Sequence, residues 1–370
     1  MKKNISVLVS GGGTGGHIFP AISIANEIKS KYPEADILFV GALGKMEMEK
    51  VPQAGYPIEG IPVVGFHRKE IWRNLLFLPK LFISLFKAWS IIKKHQPDIV
   101  IGTGGFASGP ILYLASLMKK ITVIQEQNSF AGVTNKILGK RAKAICVAYP
   151  NMERFFPKEK IHFTGNPIRQ VLLTPKEEKP CSWDIKQDRP TLLIIGGSLG
   201  ARQVNKAIDL HTSALIDHDI NVIWQCGKFY YEELKEKYSD KLPSNFHIVP
   251  FISDMKEAYE ISDLVISRAG AGTISELCVM GKATILVPSP NVAEDHQTHN
   301  ALALTDHKAA ILVKDIEAPE KLVAKALSVI ENKEVIASLE KEIQRFAKPN
   351  AVEDIVKVTT HLMEKRDEKL

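Results

Sequence analysis

Four groups of residues in this chain carry side chains and spacings suited to chemistry. His17 closes the run Gly11-Gly12-Gly13-Thr14-Gly15-Gly16-His17. A glycine-rich turn lets backbone approach a ligand closely and points N–H groups at it. The run therefore offers a cradle for an anion or a sugar, with one titratable side chain at its mouth. Residues 267–276 read Ser-Arg-Ala-Gly-Ala-Gly-Thr-Ile-Ser-Glu, a small-residue turn that brings the Thr273 and Ser275 hydroxyls to a helix start. Free N–H groups and the helix dipole there favour a diphosphate. Glu276 is expected in the first turn of that helix. It either complements the dipole or accepts hydrogen bonds from two ribose hydroxyls. Two polar clusters complete the set, Gln125-Glu126-Gln127-Asn128 and Asp295-His296-Gln297-Thr298-His299-Asn300. Both suit the reading of sugar hydroxyls. No second acidic pair of suitable spacing accompanies the His/Asp cluster, so neither a metal nor another cofactor is expected.

These residues sit where strands should end. Apolar runs at 5–9, 37–40, 98–102, 121–124 and 144–148, then 191–195, 221–225, 246–249, 263–267 and 283–287, alternate with helical stretches. That alternation predicts an α/β fold of parallel sheets wrapped by helices. After the first strand, Ile18, Ile22, Ala25 and Ile28 recur at helical spacing, and Pro20 suits the first turn of that helix. Gly102-Thr103-Gly104-Gly105-Phe106-Ala107-Ser108-Gly109-Pro110 and Gly196-Gly197-Ser198-Leu199-Gly200-Ala201-Arg202 also follow strands. Ligands in doubly wound sheets bind at the carboxyl ends of strands, so two such domains facing each other would form a cleft lined by these loops. The segment 166–190 holds Pro167, Pro175, Pro180 and Pro190 and reads as a linker. The expected domains are therefore 1–165 and 191–350.

Gly11, Gly13 and Gly16 also fit the glycine pattern of a dinucleotide site. Such a site needs an acid at the end of the next strand to hold the ribose. That strand ends in Gly41-Ala42-Leu43, which argues against NAD. The chain's 370 residues suffice for two cores. Its four cysteines are scattered without a Cys-x-x-Cys pair, which fits a reducing compartment rather than zinc or disulfides. The N-terminus enters a strand without a signal-peptide pattern. The uncharged run 99–118 is broken by Gly102, Gly104, Gly105, Gly109 and Pro110, so it reads as strand, loop and helix rather than a membrane span. The net charge of +6 is uneven: residues 1–165 carry 22 Lys/Arg against 11 Asp/Glu, and the remainder is acidic. A basic half suggests an anionic partner. Nothing in the sequence resembles an aromatic-basic RNA motif or a zinc finger, so nucleic acid is not expected.

Taken together and in order, Gly12–His17, Gly102–Pro110, Gln125–Asn128, Gly165-Asn166-Pro167-Ile168-Arg169, Gly196–Arg202, Arg268–Glu276 and Asp295–Ala301 resemble the MurG family of glycosyltransferases over nearly the whole chain. The resemblance implies the two-domain glycosyltransferase-B fold. It implies transfer of N-acetylglucosamine (GlcNAc) from UDP-GlcNAc to lipid I, giving the peptidoglycan precursor lipid II. Carried over by position, Thr14, Gly15 and Gly16 lie near the donor sugar and diphosphate, and Asn128 contacts the GlcNAc. Arg169 and Ser198 bind the nucleotide or its phosphates, and the Ile252 backbone meets the uracil. Ala271, Gly272, Thr273, Ile274 and Ser275 cradle the diphosphate and sugar. Glu276 holds the ribose and Gln297 reads GlcNAc hydroxyls. Leu199 departs from the Gln common in the family. The C-terminal helix, about 351–366, is expected to cross back to the first domain.

The implied reaction is an inverting transfer in which the C4 hydroxyl of N-acetylmuramic acid (MurNAc) attacks C1 of GlcNAc as UDP departs. A general base must take the hydroxyl proton, a contribution of typically ~10²–10⁴-fold. His17 is the first candidate and Glu126 the second; the alternative for His17 is that it only shapes its loop. Lipid I is membrane-bound. Residues 67–94 set Ile71, Trp72, Leu75, Phe77 and Leu78 among Lys69, Arg73 and Lys80, an apolar surface rimmed with cations that suits an anionic leaflet. Pro79 interrupts it, so peripheral attachment to the cytoplasmic face of the inner membrane is expected. Cell-wall synthesis or division proteins are the partners the resemblance suggests. The rivals are a UDP-GlcNAc 2-epimerase or glycolipid glycosyltransferase on the same fold, and a non-catalytic nucleotide-sugar-binding module.

Overall fold

The computed structural model describes residues 5–63, 77–175, 180–197 and 199–367. The chain divides into two compact units, Met1–Ile168 with Asn350–Leu370, and Arg169–Pro349.

In the first unit, β1 (Ser6–Gly11), β2 (Asp36–Ala42), β3 (Ile58–Ile61), β4 (Ile99–Gly104), β5 (Ile121–Glu126), β6 (Ala144–Val147) and β7 (Ile161–Phe163) form one sheet. Its order is β3-β2-β1-β4-β5-β6-β7 and every pairing is parallel. Helices α1 (Gly15–Lys31), α2 (Glu47–Gln53), α3 (Phe77–His95), α4 (Ser108–Leu117) and α5 (Val133–Gly139) connect the strands. Both faces of the sheet are covered, so its central strands are apolar almost throughout. Alternation sends Val7 and Val9 to one face, with Ile24 and Ile28 of α1, and Leu8 to the other, with Ile92 of α3 and Ile111 of α4.

The second unit repeats the plan. Strands β8 (Thr191–Ile195), β9 (Asn221–Gln225), β10 (Phe246–Val249), β11 (Leu264–Ser267), β12 (Ala283–Leu286) and β13 (Ile311–Leu312) pair in parallel in the order β10-β9-β8-β11-β12-β13. Its helices are α6 (Arg202–Leu210), α7 (Thr212–Asp217), α8 (Lys228–Lys237), α9 (Met255–Ile261), α10 (Ala271–Met280), α11 (His296–Thr305), α12 (Ala318–Ile330) and α13 (Lys333–Gln344). Both sheets reverse direction beside their first strand, between β1 and β4 and between β8 and β11. Those reversals are the switch points at which doubly wound folds bind ligands. The architecture is that of two Rossmann-like domains.

The last helix, α14 (Ala351–Asp367), belongs to the first unit. Val352, Ile355 and Val356 bury against the α1 side of the first sheet, each fully buried aliphatic contributing roughly 1.5–3 kcal/mol. Arg366 Nη2 sits 2.8 Å from Asp98 Oδ1, just ahead of β4. Residues 169–175 and 180–190, within the segment read as a linker, lie against the second unit. Lys256 Nζ donates to Pro175 O (2.6 Å), and Ser182 N donates to Glu257 Oε1 (2.8 Å).

Two details differ from the sequence reading. The short strands β3, β7 and β13 were not expected; they flank the apolar runs and are partly exposed or charged. Helix α1 starts at Gly15 rather than Ile18, because His17 N and Ile18 N both donate to Thr14 O (3.1 and 3.2 Å). Pro20 therefore lies at the sixth helical position, not in the first turn, and leaves the Gly16 carbonyl without its ladder donor. The run 99–118 folds as β4, a loop and α4. Among the described residues, no helix is long and apolar enough to cross a membrane.

Candidate functional site

At the first switch point, the loop after β1 is built by close backbone packing. Gly13 has φ +84°, a conformation that favours glycine. Gly105 (φ +86°), in the loop after β4, presses on the Gly12 backbone where any Cβ would collide. Gly12 N donates to Gly104 O (3.3 Å), and Thr103 Oγ1 donates to His17 O (2.7 Å). The two loops thus form one surface, and it carries Thr14, Gly15, Gly16 and His17. The His17 ring lies over Gly104, and its Nδ1 is 3.1 Å from Gly12 O and 3.3 Å from Thr14 Oγ1. A carbonyl can only accept, so Nδ1 carries the proton in the Gly12 contact.

Glu47 supports this loop and escaped the sequence reading. Its carboxylate is fully buried at the start of α2. Oε1 accepts from Ala42 N (3.0 Å) and Oε2 from Gly13 N (2.9 Å). A Cβ on Gly12 would run into it, so that glycine and Glu47 require each other. The acid missing from the end of β2 is thus supplied five residues later and turned beneath the loop. The only local signal was an acid two residues past the Gly44-Lys45 turn.

The polar cluster at the carboxyl end of β5 is largely internal scaffolding. Gln125 Nε2 donates to Asn166 Oδ1 (2.8 Å), Asn166 Nδ2 to Gln127 O (3.0 Å), and Gln127 Nε2 to Thr103 O (2.7 Å). The buried Glu126 carboxylate accepts from Asn128 N (3.1 Å) and Asn128 Nδ2 (3.4 Å) at Oε1. At Oε2 it accepts from Gly132 N (3.1 Å) and Asn135 Nδ2 (2.9 Å). Both oxygens face inward and are engaged. In this geometry Glu126 braces Asn128 and the loop that follows it.

In the second unit, Arg169 and Glu276 meet although 107 residues separate them. Arg169 Nε donates to Oε1 (2.7 Å) and Nη2 to Oε2 (2.6 Å), and Tyr259 Oη donates to Oε2 (3.2 Å). This is a bidentate, charge-assisted fork. Burial alone would lower the Arg169 pKa, but the hydrogen bonds and charge of Glu276 raise it, so Arg169 stays cationic. Burial, reinforced by the Glu276 charge, pushes Tyr259 well above its usual range, and it remains a donor. Glu276 is not in the first turn of its helix. Helix α10 opens at Ala271, which places Glu276 in the second turn and rules out the N-terminal dipole reading. The first turn holds Ala271, Gly272 and Thr273; Ile274 N donates to Gly270 O (2.9 Å), and Ser275 Oγ bonds back to Ala271 O (3.0 Å). No acid stands in that turn to compete with an anion.

Gln297, at the start of α11, accepts from Ser289 N through Oε1 (2.8 Å), which fixes it to the loop after β12. Arg268 Nη1 donates to Val287 O (3.0 Å) and pairs with Asp315 Oδ1 (2.5 Å), tying the loop after β11 to the same segment. Ile252 N donates to Gln225 Oε1 (3.0 Å), so its N–H is committed internally. Ser198 lies outside the described residues, as do Lys69, Ile71, Trp72, Arg73 and Leu75. Phe77 and Leu78 begin α3, and Lys80 follows, half-buried. Further along α3, Ala88, Ile91 and Ile92 are buried, while Phe82 and Phe86 are each 70% exposed on the other face. Exposed Lys93 covers the Trp89 ring at 5.0 Å.

Two other features fall away from the site. Buried Cys146, Cys226 and Cys278 have thiols pushed up by burial to about 12, 11 and 12. They are packing residues, not nucleophiles. A cavity of about 900 Å³ lies by Pro190, Thr191 and Asp263, at the amino ends of β8 and β11, opposite the switch point.

The chain matches the glycosyltransferase family 28 N-terminal domain over residues 7–147 and the family 28 C-terminal domain over residues 191–355. It is 51% identical over 370 residues to the Bacteroides thetaiotaomicron UDP-N-acetylglucosamine--N-acetylmuramyl-(pentapeptide) pyrophosphoryl-undecaprenol N-acetylglucosamine transferase, covering 98% of this chain and 99% of the relative. A crystal structure of Acinetobacter baumannii MurG superposes with a TM-score of 0.79 at 29% identity, over 96% of this chain and 99% of that one. A putative UDP-N-acetylglucosamine 2-epimerase from Listeria monocytogenes superposes at 0.70 with 14% identity, over 98% and 97% of the two chains. The fold is therefore shared with an epimerase, and the fold alone does not choose the reaction.

Proposed function

Because the chain belongs to glycosyltransferase family 28, we propose that it moves GlcNAc from UDP-GlcNAc to the MurNAc C4 hydroxyl of lipid I, forming lipid II for peptidoglycan. The observation that carries this reading is half identity along the full chain to a transferase named for that reaction. Equipped switch points in both units support an enzyme over a sugar-binding module. The family match and the acceptor in the relative's name set it apart from an epimerase.

In the second unit, the first turn of α10 receives the diphosphate on its unpaired N–H groups, from Ala271 through Thr273. Negative charge grows on that diphosphate as the C1–O bond breaks, so fixed dipoles there stabilise the transition state. Glu276 keeps acceptor capacity at Oε1 for ribose hydroxyls, and Arg169 holds it in place for them. Gln297 and Asn128 read the GlcNAc. In the first unit, His17 accepts the proton of the attacking hydroxyl, and Thr14 and Gly16 shape the wall it sits in.

Helix α3 and the residues before it dock the enzyme on the cytoplasmic face of the inner membrane. Phe82 and Phe86 enter the interface, and Lys80, Lys93 and Lys94 meet anionic headgroups at about 1 kcal/mol each. Cell-wall synthesis or division proteins are the expected partners there.

The deciding assay supplies labelled UDP-GlcNAc and a lipid I analogue. Transfer of label to the analogue with equimolar UDP supports the reading. Release of free sugar or epimer without transfer overturns it.

A further inference from the structure

The Gly12 carbonyl and the Gly13 N–H belong to one peptide group. On one side that group accepts from His17 Nδ1 (3.1 Å), and on the other it donates to Glu47 Oε2 (2.9 Å). We propose that Glu47 is a positioning residue that acts on His17 through this peptide, forming a carboxylate–peptide–imidazole relay that sets Nε2 as the proton-accepting atom. The inference rests on the reading of His17 as the general base and deepens it.

The chemistry follows from amide resonance. A carboxylate accepting the Gly13 N–H draws positive charge to nitrogen and enriches the Gly12 oxygen. The enriched oxygen is a stronger acceptor for Nδ1–H, as hydrogen bonds in a chain polarise one another. A firm Nδ1–H bond leaves the neutral ring with its lone pair on Nε2. When the acceptor hydroxyl attacks C1, its O–H bond breaks and the proton goes to Nε2. The oxygen bonds C1, and the C1–O electron pair leaves with UDP. The imidazolium that forms is stabilised by the enriched carbonyl and by the Glu47 charge behind it.

The burial of Glu47 suits this role. It is fully enclosed, so its charge is poorly screened, and its oxygens are fixed by the Ala42 and Gly13 amides. Gly12 has no Cβ to hold the carboxylate away. A further titratable group at this switch point is Glu126 on β5, which accepts from Asn135, whose amide adjoins Gly104. Glu126 is already engaged by four donors. Thr14 Oγ1, 3.3 Å from Nδ1, adapts its hydroxyl to either ring form.

The test uses the full-length protein with ¹⁵N-labelled histidine, with His17 assigned by its loss in His17→Ala. In the wild type at pH 8, the nitrogen shifts should report the Nδ1–H tautomer. In Glu47→Gln, the His17 titration and the acid limb of kcat/KM should both move to lower pH, by at least about half a unit. The expected drop in kcat is about ten- to hundredfold, as when the carboxylates behind metal-bound histidines are removed, with the KM for UDP-GlcNAc near wild type. Glu47→Asp should restore most of the shift. An Nε2–H tautomer in the wild type overturns the relay, and that measurement does not depend on any variant folding. A rate loss in Glu47→Gln with unmoved titration and limb also overturns it, because Glu47 would then be only a brace. A shifted His17 titration in Glu47→Gln alongside near-normal turnover in His17→Ala keeps the relay and removes the base assignment.

Discussion

The loops after β1 and β8 occupy the same place in two sheets that share one strand order over six strands, yet they are built differently. The β1 loop is pressed from the β4 side by Gly105 and floored by the Glu47 carboxylate. The β8 loop is pressed from the opposite side, where Gly227 after β9 abuts Gly200, and its floor is backbone, with Gly196 N donating to Gln225 O (3.2 Å). The first loop has an acid beneath it and an imidazole at its mouth. In the second unit, the charged pair Arg169–Glu276 lies instead on the second turn of α10, after the neighbouring strand β11. On the proposed function, one frame serves two ends: the first unit places a group to move a proton, and the second places groups to hold charge and hydroxyls.

The sharpest way to break this contrast is by kinetics. His17→Ala should lower kcat by ~10²–10⁴-fold with both substrates saturating, while Glu276→Gln should raise the KM for UDP-GlcNAc by about tenfold or more. A shared effect on one parameter would erase the distinction. Stability sharpens it next. Gly105→Ala meets both a positive φ and the Gly12 backbone, whereas Gly13→Ala meets a positive φ in open space. Thermal unfolding should show the first losing roughly 1–3 kcal/mol more than the second.

A smaller effect separates the surfaces. Phe82→Glu with Phe86→Glu should reduce flotation with anionic vesicles and leave turnover of a water-soluble acceptor unchanged; equal flotation would remove α3 from the membrane reading. The smallest concerns the thiols. Cys146, Cys226 and Cys278, with pKa values held at about 11–12, carry almost no thiolate at pH 8, so native alkylation should stop at one label, on exposed Cys181, without loss of activity.

Much of the architecture was legible because buried parallel strands are continuous apolar runs and the turns at their ends are marked by glycine. Strands β3 and β13 were not, since Ile-Glu-Gly-Ile and a two-residue pair carry no periodic signal. The candidate residues were legible as types but not as connections. Glu126 stood out as a carboxylate in a polar run, and only the fold shows both oxygens turned to Asn128, Gly132 and Asn135. Glu47 lies between two methionines, and its role depends on a turn that carries it under a glycine 34 residues away. Glu276 was recognised from its motif, but its fork with Arg169 spans 107 positions that no local pattern encodes.

The division of labour between the two switch points is tested most directly by calorimetric titration of UDP-GlcNAc into His17→Ala and Glu276→Gln, side by side with the wild type. The expected result is wild-type affinity in His17→Ala and at least about tenfold weaker binding in Glu276→Gln. Weakened binding in His17→Ala together with wild-type binding in Glu276→Gln would contradict it.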